Sequence, residues 1–150
     1  MPKTDLYNKD LVAWADEQAL LLKQRRWSEL DLGNLIEEVQ DVAGQYRNAL
    51  ESQLTRLLMH LLKWQYQPEK HTRSWSNSIR DSRKQIFRLT RDHPSLAVHP
   101  EMVLIKCYTD ARVDAADETG LPLKTFPLVC PYDLGSEVLN SEFLPSEGEK

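Results

Sequence analysis

The residues with chemistry to offer are four histidines, two cysteines and a group of carboxylates early in the longest helical pattern. Glu37, Glu38, Asp41 and His60 are the types from which helix bundles build carboxylate–histidine metal sites. Their placement opposes that use. Glu37 and Asp41 fall on the water-facing side of the pattern, and no Glu-x-x-His pair occurs. No metal ion or cofactor is expected, and no catalytic residue is assigned. His60 lies at the edge of an apolar stripe and reads as a core histidine satisfied by a neighbouring polar group. His71 sits in a polar turn, while His93 and His99 each precede a proline. Cys107 reads as a small apolar packing residue, and Cys130, between Pro127 and Pro131, has no basic neighbour to favour a thiolate. There is no glycine-rich phosphate loop, nucleophile elbow or zinc-protease helix. The chemistry therefore points away from an enzyme.

Two surfaces remain as candidate binding sites. The third helical segment, from about Trp75 to Asp92, carries Arg80, Arg83, Lys84, Arg88 and Arg91 on one side with Phe87 among them. Cations around an exposed ring can contact phosphates and stack a base. The second is the WQYQP corner, where Trp64, Tyr66 and Trp75 with His60 and Arg80 form a candidate pocket. The same rings also read as the end of a core, with Gln65 and Gln67 tying up loop backbone.

The elements that must position these groups are helical. Leu32, Leu35, Ile36, Val39, Ala43, Tyr46, Leu50, Leu54, Leu57, Leu61 and Trp64 share one face at 100° per residue. This predicts a single helix over about 32–66, opened by Asp31 and stopped before Pro68. Its second half is apolar almost all round and calls for several neighbours; its first half needs one or two. A first helix over Asp5–Lys23 presents Leu11, Trp14, Ala15, Gln18 and Leu22, with Trp14 expected against Val39 or Tyr46. Trp27 is expected to cover the junction that follows. Ser74 is the expected cap of the third helix, whose inward residues are Trp75, Ile79, Ser82, Ile86 and Leu89. A fourth helix over Met102–Thr119 has Pro100 in its first turn, Gly120 as terminator and a potential break at Thr109. The proline-rich remainder should lie down as a strap through Phe126, Val129, Tyr132, Val138, Leu139 and Phe143, with a short helix around Asp133–Asn140. The expectation is an all-α, up-and-down-like bundle of four main helices built on one long central helix, one domain over 1–150, frayed from about 145.

Charge and composition narrow the rest. The net charge is −4, yet residues 63–93 hold eight Lys or Arg against three acids, and 101–150 hold four against ten. A solvated face, or attraction between the two regions, explains such a split as readily as a ligand does. No apolar run approaches a membrane span and no signal segment opens the chain, so a cytoplasmic protein with reduced thiols is expected.

Several strings carry a resemblance: LDLGNLIEEV, HLLKWQYQP, the RSW opening of the third helix and ETGLPLKTFPLVCPY. Together they resemble the bacterial family known as domain of unknown function twenty-nine, from about Leu6 to Leu144. The resemblance implies an all-helical bundle and no established activity; Thr109 stands where the family pattern has a proline.

The functional expectation is a non-enzymatic interaction or assembly module that self-associates or meets an unknown protein partner, because the long stripe outruns any one neighbour. The alternative is a nucleic-acid-binding accessory protein using the arginine-bearing face, which a pI near 5.6 disfavours. A third is an enzyme at the WQYQP corner.

Overall fold

The stripe does produce one helix. In the computed structural model, which describes residues 3–146, α3 runs unbroken over Leu32–Tyr66. It follows α1 (Lys3–Lys9) and α2 (Leu11–Lys23), and precedes α4 (Arg73–Asp92) and α5 (His99–Thr119). Short 3₁₀ segments link α2 to α3, α3 to α4 and α4 to α5, a 3₁₀ turn and a π turn follow α5, and no strand forms among the described residues. The fold is an all-α bundle whose helices pack against α3. The fraying expected from about 145 falls mainly on residues 147–150, outside the described residues. The chain groups into two compact units, residues 1–45 and 46–150.

In the first unit the single helix expected over Asp5–Lys23 is two. Asp10 adopts extended geometry between them, and its carboxylate accepts from Ala13 N at 3.0 Å, a free donor of the new helix start. An aspartate can cap as readily as it can solvate, and here capping wins. The inward residues of α2 are Trp14, Gln18 and Leu21; Leu11, Ala15 and Leu22, expected inward, are exposed. α2 closes in a Schellman motif, with Arg26 N–H bonded to Leu21 O and Arg25 N–H to Leu22 O. Arg25 therefore takes the left-handed conformation at φ 57°. Trp27, expected to cover the junction, is 59 % exposed.

In the second unit the core lies along the leucine stripe of α3 and over residues 57–62, where that helix is apolar almost all round. Leu50, Leu54, Leu57, Leu58, Leu61 and Leu62 are fully buried, each contributing about 1.5–3 kcal/mol by its removal from water. Ile79 and Ile86 of α4, and Cys107, Tyr108, Ala111 and Ala115 of α5, close around them. α4 is capped two residues earlier than expected: Thr72, rather than Ser74, accepts from Trp75 N through its hydroxyl. α5 is continuous through Thr109, whose hydroxyl donates back to Ile105 O instead of capping a new segment. Gly120 ends it at φ 72°. The strap buries Phe126, Tyr132 and Val138, with a π turn over Leu134–Val138 opened by Asp133. Val129, expected inward, is 76 % exposed.

Candidate functional sites

Four of the six residues assigned to the basic face remain open without an ion pair among the described residues. Lys84 and Arg88 are exposed, Phe87 is 64 % exposed, and Arg80 donates to Asn77 on its own helix. Arg91 pairs with Asp92 at 2.9 Å, a surface pair that holds its charge locally. Arg83 does not belong to this face. It lies 40° from Ile79 around α4, at the margin of the buried stripe, and its stem carries the guanidinium inward. There Nε–H donates to Val138 O at 2.8 Å and Nη2–H to Glu137 O at 3.1 Å. The strap supplied the acceptors that a helical wheel cannot show.

The WQYQP corner is tied together by a residue outside the assigned pocket. His71 stacks on Trp64 at 3.8 Å between ring centroids and 16° between planes, and meets Trp75 edge-on at 6.4 Å. Its Nε2 bonds Trp64 O. Lys63 lies 4.7 Å from the Trp75 ring centroid and pairs with Glu118 at 2.5 Å. Tyr66 turns elsewhere, edge-on to Phe126. Gln65 accepts from Tyr132 Oη at 2.6 Å, and Gln67 donates to Thr119 O, as loop-tying glutamines should. His60 Nδ1 sits 2.9 Å from Arg56 O. A carbonyl can only accept, so Nδ1 carries the hydrogen. Burial lowers its pKa first, with the charges of Lys63 and Arg56 adding to the effect against that hydrogen bond. Arg80 bonds within its own helix, so the five pocket residues do not converge. The corner's polar groups answer one another.

A concavity that sequence reasoning missed lies between α3 and α5. It has a volume of about 770 Å³ and is walled by Glu51, Thr55 and Met59 on one side and Asp110, Asp114, Asp117 and Glu118 on the other. The spacing of Asp110, Asp114 and Asp117 on one side of α5 was a legible signal for it. Desolvation, then repulsion from those neighbours, raises the Asp114 pKa. Glu51 is engaged by Lys106 at 3.2 Å and approached by His99 at 3.4 Å. Among the described residues no group of three or more His, Cys, Asp or Glu is arranged to hold a metal ion. Both cysteines are free thiols, and burial pushes both up in pKa, away from nucleophilic character.

Fold and surfaces together define a helical-bundle protein without strands among the described residues. Residues 6–144 match the model of the family described as Domain of unknown function DUF29, and the chain belongs to that family. No curated protein and no solved structure matches it. Among the described residues no helix is long and apolar enough to cross a membrane.

Proposed function

We propose that this chain is a non-enzymatic assembly module that pairs with a second copy of itself through the open face of α3 between Leu32 and Ala43. One observation carries the reading: Leu32, Ile36, Val39 and Val42 are 62 %, 48 %, 69 % and 61 % exposed. Single exposed aliphatics are ordinary, whereas a continuous row of them marks a contact surface. Around the helix from Val42 through Val39, Leu32 and Ile36 to Gln40, no acid or base falls within residues 32–45. Two copies can therefore face each other about a two-fold axis without like-charge repulsion. Sedimentation equilibrium tests this. Concentration-dependent dimers are expected, and a strict monomer at high concentration overturns the reading. The reading places the protein in the cytoplasm, supported by its two free thiols.

A second reading rests on Phe87, exposed between Lys84 and Arg88: a contact to single-stranded nucleic acid, with the ring stacking a base. Labelled single- and double-stranded oligonucleotides titrated at low salt separate the two. Absence of binding ends this second reading.

A further inference from the structure

Arg83 is 8 % exposed, and the acceptors of its two hydrogen bonds, the carbonyls of Glu137 and Val138, are both neutral. Among the described residues no carboxylate pairs with it. Burial alone draws its pKa down, with no neighbouring acid opposing. A buried cation without a counterion is an expensive arrangement that calls for an anion. The same side chain lines a cavity of about 200 Å³ with Ile86, Phe87, Ala97, Pro100 and Leu139. Thr90 is its other polar wall, and that hydroxyl already donates to Ile86 O and Phe87 O. One positive group, with one hydroxyl already bonded to backbone, on an otherwise apolar wall selects a ligand with one negative group and a carbon body.

We infer that this cavity binds a small monocarboxylate, with its carboxylate on the Arg83 guanidinium and its alkyl or aryl body against Ile86, Phe87 and Leu139. Two of the five guanidinium N–H groups are spent on the strap, and the remainder suit a carboxylate better than a phosphate, which asks for more donors. At roughly 30 Å³ per water-sized group, the space holds about six or seven heavy atoms. Pentanoate is of that size.

The test follows backbone amide resonances of the full chain while pentanoate, pentanol, pentylamine and inorganic phosphate are titrated separately. Pentanoate should give saturable shifts confined to residues 83–90, 97 and 139. Pentanol should bind about tenfold to a hundredfold more weakly, the worth of a hydrogen bond to a charged group. Pentylamine and phosphate should give no saturable shift there. Ala97→Phe fills the cavity without touching the strap bonds, and should abolish binding while circular dichroism is unchanged. Arg83→Gln keeps one donor for the strap and should also abolish it. The proposal is overturned if pentanoate gives no saturable response, if pentanol or phosphate matches it, or if Ala97→Phe binds undiminished. Should both variants fail to fold, the wild-type comparison of pentanoate with pentanol still decides.

Discussion

Trp14 donates its indole Nε1–H to Asp31 Oδ2 at 2.9 Å. Around that bond Gln18 Oε1 accepts from Asp31 N at 2.8 Å, Asn34 donates to the same carboxylate, and Tyr7 Oη donates to Glu38. These partners, Asp31, Asn34 and Glu38, form the polar shoulder of α3, at 200° to 260° from Leu32. The first two helices are thus pinned beside the apolar stripe instead of on it, and Leu32, Ile36 and Val39 stay open. Trp14, expected against Val39 or Tyr46, is held by a carboxylate instead.

Replacing Trp14 by phenylalanine keeps most of the buried ring and removes the donor. Because the acceptor is charged, the change should lower stability by about 1.5–3 kcal/mol. Urea unfolding measures it; a loss no greater than that of an exposed substitution would show that the bond does not anchor these helices.

The open stripe makes a prediction of its own. Val39 is 69 % exposed, so Val39→Glu should leave the helix content of the chain intact while placing a charge in the middle of the proposed contact. Light scattering should find the variant monomeric at concentrations where the wild-type chain is paired. An unaltered mass would remove this face from the assembly.

How much of this was legible depends on whether one helix or two elements decide a residue's fate. Leu57 to Leu62 are apolar almost all round, so any neighbour buries them, and Leu50 and Leu54 lead into them on one stripe, so periodicity alone located that core. Leu32 to Val42 show the same period, yet their burial needed a partner whose position was set by Trp14 and Asp31, a pairing invisible to a wheel. Arg83 failed for a related reason: carbonyls of the strap, 54 and 55 residues away in sequence, drew it in. His71 joined the aromatic corner through the geometry of a turn, which spacing does not encode. Thr72 and Ser74 are equally good caps in composition, and only the path of the chain after Pro68 selects between them.

Arg25 is the non-glycine residue with positive φ in the described chain, held there by the Schellman closure of α2. A β-carbon in that region costs about 1 kcal/mol, part of which glycine returns through its freer unfolded chain. Arg25→Gly should therefore stabilise the fold by about 0.5–1 kcal/mol. A thermal melt that falls instead would mean the Arg25 side chain makes a contact worth more than the backbone strain.

His60 ties stability to pH. Its pKa in the folded chain is lowered, chiefly by burial, while in the unfolded chain it returns to the ordinary imidazole value near 6.5. Between those two values the unfolded chain binds the extra proton. Stability is therefore full above the unfolded value and is lost as pH falls below it, at a slope of at most about 1.4 kcal/mol per pH unit. His60→Leu removes the titrating group and should flatten that part of the profile. Equal slopes for both chains between pH 6.5 and the start of carboxylate titration would clear His60 of the effect.

Lys63 and Glu118 give the sharpest contrast between two substitutions at one contact. The Lys63 side chain is 9 % exposed and its ammonium lies against the Trp75 ring, while the side chain of its partner Glu118 is 50 % exposed. Lys63→Met keeps the stem and the ring contact, removes the buried charge, and returns Glu118 to water, which already reaches half of it. The change should be within about 1 kcal/mol of neutral, and on either side of it. Glu118→Gln leaves the buried ammonium without its counterion. The uncompensated charge should lower stability by about 1–2 kcal/mol, discounted from the fully buried case because solvent reaches the carboxylate. The order of the two variants in urea unfolding is the decisive readout, because urea, unlike guanidinium chloride, adds no salt to screen the pair. If Lys63→Met proves the more damaging, the ammonium's stacking on Trp75 outweighs the ion pair, and the corner is held by its rings more than by charge.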